Sequence, residues 1–534
     1  MNFLNSGEGY SLFNEEANYD TYVDKTLMIQ DVYRYATRIK KYICITRPRR
    51  FGKSVAANMI AAFFDESTAE KSRRLFERLE IGRLKDEQEE KWLKTEDRSL
   101  CWSQQGKHKV IRINMIDLFT EDVHSYDDFI RSLKTQVKED LGAAYPGLDF
   151  NGLAVSKMLE RTNDKFIFVI DEWDAIFEMD FMMADDKVDY LEFLKNLLKD
   201  KAYVHFAYMT GILPIAKYSS GSPLNMFHEF NGYKDAMFYP YFGLTEEEIT
   251  SLMHRKGIEK PSIGELAEWY DGYVRHDGVH VYNPASVSMA LGVGVCDDYW
   301  NHTGSMEAVK DMIRLNVQEL KDDVIRMASG ETLGIALGGF SSEKTRLSTR
   351  DEILSAMVVY GFLSYSNGRL CIPNKELLLQ FRDALLMKEM GLQESLGDSR
   401  ALLDATLARD EREIARLVEQ FHDEHIPHVY YNDENSLACV VTLGYLAAKD
   451  RYDISREDKA GKGYADFIFT PRIEGGLPII MELKYNHSAK NALECIHKRG
   501  YIDRFRKHKR VLLVGINYST ATKKHTCLTE LVEQ

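Results

Sequence analysis

The chain has 534 residues, 44% of them hydrophobic and 28% charged, with a formal net charge of −14. That length predicts several domains, and that composition excludes collagen-like and largely disordered chains. No apolar run approaches the roughly 18 residues a membrane helix needs, MNFLNSGEGY carries no secretory signal, and seven cysteines without a C-x-x-C argue against a disulfide framework or zinc cluster, so a reduced, cytoplasmic protein with no membrane partner is expected.

Residues 1–235 alternate strand and helix signals. Tyr42–Thr46, Val110–Asn114, Phe166–Ile170 and Val204–Thr210 are short apolar runs, and Val55–Phe64 is a helix former. Continuous apolar strands separated by helices predict a parallel sheet covered on both faces. Between the first strand and its helix lies Arg47-Pro48-Arg49-Arg50-Phe51-Gly52-Lys53-Ser54, all eight of which are candidate nucleotide-binding residues. Gly52, Lys53 and Ser54 supply the last three positions of the phosphate-binding loop G-x-x-x-x-G-K-[ST]. In such a loop backbone N–H groups wrap phosphate oxygens, the lysine reaches the β and γ phosphates, and the hydroxyl ligates Mg²⁺. Arg47 stands where the first glycine belongs, and Pro48 removes one donor. The third strand ends in Asp171-Glu172. Asp171 is expected to hold Mg²⁺ through its water shell, and Glu172 to polarise the attacking water. Thr210, closing the fourth strand, is a candidate γ-phosphate sensor, or simply a turn residue.

Residues 236–390 turn helical. Thr245-Glu246-Glu247-Glu248 predicts a capped helix start. Asp351–Tyr360 reads as a helix, followed by a hairpin through Ser366-Asn367-Gly368, an order similar to a winged helix. This region is expected to be a helical lid. Residues 391–534 open with charged helices over Glu394–His425 and continue as a compact α/β unit.

In that last segment Tyr464–Phe469 and Ile479–Lys484 predict two strands. Glu482 and Lys484 are two apart, so they share one strand face, and a hairpin would bring Asp466 beside them. Two carboxylates make a hard oxygen site for Mg²⁺ or Mn²⁺, and the lysine can stabilise charge near a scissile phosphate. A structural ion-pair cluster is the plain alternative. Glu434, about 30 residues upstream, is a candidate further acid at the start of a helix. Between Lys484 and Arg510 stand nine Lys or Arg against Glu494 and Asp503, with Tyr501 and Phe505 interleaved, whereas the rest of the chain is strongly acidic. A concentrated basic segment suits a phosphate backbone, DNA by preference.

With these residues in view, the chain resembles the prokaryotic proteins that join an AAA-ATPase-like domain to a PD-(D/E)XK nuclease-superfamily domain. The resemblance is carried by Tyr22–Thr26, Arg47–Ser54, Leu75–Leu79, Asp171-Glu172, Thr210–Pro214, Phe242–Thr245, Trp269–Tyr273, Tyr282–Pro284, Ile372–Asn374, Asp466, Glu482–Lys484 and Val514–Asn517. RPRRFGKS is that family's own form of the loop, which accounts for the missing glycine. Two positions depart from the family pattern: Cys495 where a glutamine is usual, and Tyr464 where an arginine is usual. The resemblance implies a P-loop ATPase core over 1–235, a lid over 236–390 and a restriction-endonuclease-like α/β domain over 391–534. It also implies ATP and Mg²⁺ as cofactors. The expected function is an ATP-gated nuclease, with a role in prokaryotic defence by analogy. The alternatives are an ATP-gated nucleic-acid-binding scaffold with an inactive nuclease fold, and an ATPase acting on a protein partner. A homo-oligomer or a regulatory protein partner is compatible with either.

Overall fold

Five runs of the chain become one parallel sheet, four of them too apolar to face water on either side. The computed structural model describes residues 2–83, 101–215, 223–300 (without 233, 234, 236 and 276), 312, 320–328, 331–335, 337, 347, 349–385, 393–425, 437, 440, 441, 444, 445, 448, 451–460, 463–473 and 475–533. The strands are β1 (Tyr42–Thr46), β2 (Lys109–Asn114), β3 (Phe166–Asp171), β4 (Val204–Gly211) and β5 (His228–Asn231), in the spatial order β2-β3-β4-β1-β5. All four pairings are parallel.

Side chains alternate across this sheet. Cys44, Phe168, Ile170 and Met209 enter a core with helices α4 (Tyr126–Ala144), α5 (Val155–Thr162) and α6 (Ala184–Leu198). Ile43, Ile45, Ile167 and Val169 enter the opposite core with α1 (Glu8–Ala17), α2 (Leu27–Arg38) and α3 (Lys53–Phe64). Because β4 lies between β1 and β3 and all three run parallel, their carboxyl ends open on one edge. Ligands of open α/β sheets bind at such an edge, beyond the strands' carboxyl ends.

The described chain divides into two compact units, one of residues 1–303 with 335–376 and one of 304–334 with 377–534. Of the expected lid, 236–303 and 335–376 fall in the first unit, and 304–334 and 377–390 in the second. Helix α7 (Glu246–Lys256) starts at a capping box of Thr245 and Glu248, as its sequence predicts. Helix α8 (Ile263–Tyr270) and helix α9 (Pro284–Val293) complete a small apolar cluster with it. Helix α10 (Arg350–Tyr360) precedes the hairpin β6 (Ser364–Ser366) and β7 (Arg369–Cys371), the helix-then-hairpin order read from the sequence.

The second unit holds helices α11 (Gln393–Ala408) and α12 (Glu411–His425). Its mixed sheet is β8 (Tyr452–Ala460), β9 (Gly463–Pro471), β10 (Ile479–Tyr485), β11 (Arg510–Ser519) and β12 (Lys524–Glu533), paired in chain order. Only β10 and β11 run parallel, and helix α13 (Ala489–Arg499) makes the crossover between them. Gly515 lets α13 lie close, since a Cβ there would meet Ala489 O at 2.5 Å. Among the described residues no helix is long and apolar enough to cross a membrane.

His525 on β12 is buried against His422 of α12, with ring centroids 5.2 Å apart. Burial first, and then the His422 charge, pull His525 down to about 3 from its ordinary 6.5. The unfolded chain takes up this proton below 6.5 and the folded chain does not until near 3, so stability is full above 6.5 and falls through that window. Acidification from pH 7 to pH 5 is therefore expected to cost the second unit about 2 kcal/mol. Amide exchange along β11 and β12, corrected for intrinsic rate, measures it. In His525→Phe the pH slope should largely vanish; an unchanged slope refutes the assignment.

Candidate functional site

The loop after β1 is shaped by one left-handed glycine. Gly52 has φ +84° and opens α3, whose first turn has no side-chain cap, so its N–H groups are free to meet an anion. Lys53 is only 4% exposed and donates to Pro48 O at 3.0 Å. Burial lowers its pKa, and Glu172, Asp174 and Asp171 push back. The ammonium is thus already folded over the loop, facing three carboxylates.

Across the edge, Asp171 is fully buried. Its Oδ1 accepts the Thr210 hydroxyl and the Glu172 N–H, while Oδ2 has no hydrogen-bond partner. A buried carboxylate oxygen left open costs free energy, and a hydrated Mg²⁺ is what the donor set fits. Glu172 follows in the left-handed region, φ +52°, which turns its carboxylate away from the strand direction. Burial raises its pKa and Lys53 opposes the rise. A cavity of about 670 Å³ opens beside these groups, lined by Gly52, Lys53, Ser54, Glu172 and, on its far wall, Pro284 and Ser288 at the start of α9.

Arg49, Arg50 and Phe51 line the same cavity, whereas Arg47 and Pro48 do not. Arg47, expected at the phosphates, is buried with its guanidinium paired to Asp235 and donating to Thr46 O and Phe230 O. Its side chain is a structural strut, because a buried guanidinium needs all its donors met. Arg49 sits on the rim, its Nη2 shared between the two Glu178 carboxylate oxygens at 2.8 and 2.9 Å. Arg50 donates to Tyr299 O at 2.7 Å and lies over the Trp300 ring. Phe51 packs edge-on against Tyr273. Pro48 abuts Gly361, the residue that ends α10.

In the second unit β9 pairs with β10 from Phe469↔Ile479 to Phe467↔Met481. One step further along the two strands come Asp466 and Glu482. Asp466 Oδ2 accepts the Leu483 N–H at 2.6 Å. Glu482 is 2% exposed; Lys484 Nζ lies 3.2 Å from its Oε1, and its Oε2 has no hydrogen-bond partner. Lys484 also donates to Leu483 O at 2.7 Å. Cys495 of α13 lies against the same carboxylate: burial first, then its bond to Glu482, raises the thiol to about 11. Arg499 of α13 donates to the Tyr501 hydroxyl at 2.8 Å. Glu434 lies outside the described residues. Among the described residues no group of three or more His, Cys, Asp or Glu is gathered to hold a metal. The open Glu482 oxygen, with Asp466 beside it, is what a hard cation would fit.

Residues 10–220 match the family model described as a predicted AAA-ATPase, and residues 432–526 match that of the PD-(D/E)XK nuclease superfamily. The chain joins an AAA-ATPase-like domain to a PD-(D/E)XK nuclease-superfamily domain. The loop at Lys53 lies in the first, and the Asp466–Glu482–Lys484 corner in the second. Over 521 residues, 93% of each chain, this protein is 24% identical to an uncharacterized protein in the vnfD 5′ region of Azotobacter chroococcum mcd 1. Among solved structures, the Walker-type ATPase of Pyrococcus abyssi aligns with 67% of this chain and 96% of its own, at 12% identity and a TM-score of 0.35. The Aeropyrum pernix ORC2 protein aligns with 69% of this chain and 96% of its own, at 9% identity and a TM-score of 0.33.

Sequence reasoning missed Asp174 and the Arg50–Tyr299 contact. Asp174 could have been suspected from its place in Asp171-Glu172-Trp173-Asp174, where a third acid follows a buried strand. The Arg50 partner lies 249 residues away and left no local signal.

Proposed function

We propose that the protein binds and hydrolyses ATP at the loop between β1 and α3, and that nucleotide state gates cleavage of nucleic-acid phosphodiester bonds at Asp466, Glu482 and Lys484. One shared observation carries the reading. Each domain carries on a buried strand a carboxylate with an open oxygen, Asp171 Oδ2 at the end of β3 and Glu482 Oε2 within β10, and each has a lysine facing it. At the first, Gly52–Ser54 would cradle the phosphates, Lys53 would neutralise them, and Glu172 would orient the water. At the second, Asp466 and Glu482 would hold Mg²⁺ or Mn²⁺, and Lys484 would stabilise the charge on the phosphate. A bound divalent ion supplies Lewis-acid polarisation at both sites. The basic residues between Lys484 and Arg510 would track the backbone of DNA.

The gate has a route. Arg50 of the loop holds Tyr299 O, and the Tyr299 and Trp300 N–H groups both go to Glu376 at 2.9 Å. Ser286 of α9 donates to the same carboxylate. The chain leaves the first unit just after these residues, at 303 and again at 376. A change at the loop that moves Arg50 would pull on both crossings together. Glu376→Gln is expected to keep ATP affinity within about threefold of wild type, under about 1 kcal/mol, while removing the nucleotide dependence of cleavage. ATP calorimetry alongside a cleavage assay tests it, and full nucleotide dependence in the variant refutes the route.

A second reading has one observation of its own. Cys495 occupies the flank of Glu482, where the resembling family carries a glutamine. A thiol there favours a nucleic-acid-binding scaffold whose nuclease fold is silent. The deciding experiment incubates plasmid, linear DNA and RNA with the full chain, with Mg²⁺ or Mn²⁺, and with ATP, ADP or neither. Lys53→Ala and Asp466→Ala serve as controls. Cleavage that needs Asp466 and responds to ATP supports the gated nuclease; salt-dependent binding without cleavage supports the scaffold.

A further inference from the structure

Asp174 is a carboxylate the chemistry above does not use. It is 4% exposed, three residues past Asp171, and it lines the nucleotide cavity. Its Oδ2 accepts two backbone N–H groups, Ile212 at 2.8 Å and Leu213 at 2.5 Å. Its Oδ1 has no hydrogen-bond partner. Burial raises its pKa to about 7, so the site is costly for an acid.

The two N–H groups it holds directly follow Thr210-Gly211 at the end of β4. Thr210 donates its hydroxyl to Asp171, and Trp173 N–H donates to Thr210 O at 3.0 Å. The turn after β3 and the turn after β4 are therefore tied at three points, and Asp174 makes the outermost tie. Gly211 leaves the room for it: a Cβ there would sit 2.5 Å from both Asp174 Oδ1 and the Trp173 ring.

We propose that Asp174 is a positioning residue for ATP hydrolysis, clamping the Thr210–Leu213 turn against Asp171 and Glu172 so that the Thr210 hydroxyl and the Glu172 carboxylate keep their mutual geometry when nucleotide is bound. The inference rests on the ATPase reading and deepens it. Asp174 acts through Thr210 and Glu172 and does not itself meet the phosphates. Its removal should therefore fall on turnover and spare binding.

The test uses the full chain as Asp174→Ala and Asp174→Asn. Asparagine keeps an oxygen that can accept both N–H groups; alanine keeps none. Asp174→Ala is expected to lower kcat at saturating ATP at least about tenfold, with the ATP Kd within about threefold of wild type, and Asp174→Asn to restore kcat to within about threefold. Unchanged kcat in Asp174→Ala overturns the proposal. So does a Kd that weakens in step with kcat, or an asparagine variant no better than alanine. Should Asp174→Ala melt below the assay temperature, Gly211→Ala decides, since its methyl displaces the carboxyl without deleting it. A loss of kcat of about tenfold there supports the clamp, and wild-type turnover overturns it. A wild-type chain that neither binds nor hydrolyses ATP brings down the ATPase reading and this inference together, whereas an active wild type with an active Asp174→Ala brings down the inference alone.

Discussion

Lys53→Ala is expected to weaken ATP binding by at least about a hundredfold, from the loss of charge-assisted bonds worth roughly 3 kcal/mol. Three features make the effect large. The ammonium is buried, so its attraction to phosphate is screened little by water. It is already held over the loop by Pro48 O, so little ordering remains on binding. And its removal leaves Asp171, Glu172 and Asp174 facing an incoming polyanion without a counter-charge. Glu172→Gln makes the contrast. It removes the carboxylate proposed to orient the water and leaves the proposed cradle, so affinity should hold while turnover falls about 10²–10⁴-fold, the usual range for a lost general base. Calorimetry with ATP separates the two variants. Unchanged affinity in Lys53→Ala would refute the phosphate loop.

The core of the proposed nucleotide site is legible in the sequence because it is local. A glycine and a lysine at a helix start, and two acids at the end of a short apolar strand, carry their chemistry in adjacent positions. What was not legible depends on distant partners. The loop's spelling does not tell the side chains of Arg47, Arg49 and Arg50 apart. The fold gives them different work: Arg47 is buried on Asp235, 188 positions on, Arg49 meets Glu178, and Arg50 meets Tyr299.

The sheets divide the same way. The four apolar strands of the first sheet announce themselves by short runs of apolar residues. β5, His228-Glu229-Phe230-Asn231, does not, since an edge strand of four residues needs little apolar sequence. β8 reads YDISREDKA, and so many charges suit a sheet edge yet hide the strand from any apolar pattern. In the nuclease-like domain the two-residue spacing of Glu482 and Lys484 placed them on one face. That Cys495 would meet Glu482 required knowing how α13 crosses from β10 to β11.

Asp466→Asn and Glu482→Gln are expected each to reduce Mn²⁺ binding and any cleavage by at least about a hundredfold, and the double variant to cost little more than either alone, because groups that share one ion act as a unit. The substitutions are chosen to separate metal from fold. Asp466→Asn keeps an acceptor for the Leu483 N–H while losing a charge, so β9 and β10 should stay paired. In Glu482→Gln, Lys484 loses its ion-pair partner, and the released ammonium, partly exposed, can return to water at modest cost. Calorimetry with Mn²⁺ and a nicking assay on plasmid read both effects; equal Mn²⁺ affinity in wild type and double variant would mean that the corner is an ion-pair cluster. Cys495→Gln then addresses activity itself. The thiol that now lies against Glu482 is a weak donor, whereas an amide at that place could both support the carboxylate and reach a water. If the thiol is what silences the site, Cys495→Gln should raise cleavage above wild type while Asp466→Asn in the same background abolishes it. If wild type already cleaves and Cys495→Gln leaves the rate alone, the departure at this position is neutral and the scaffold reading loses the observation that favoured it.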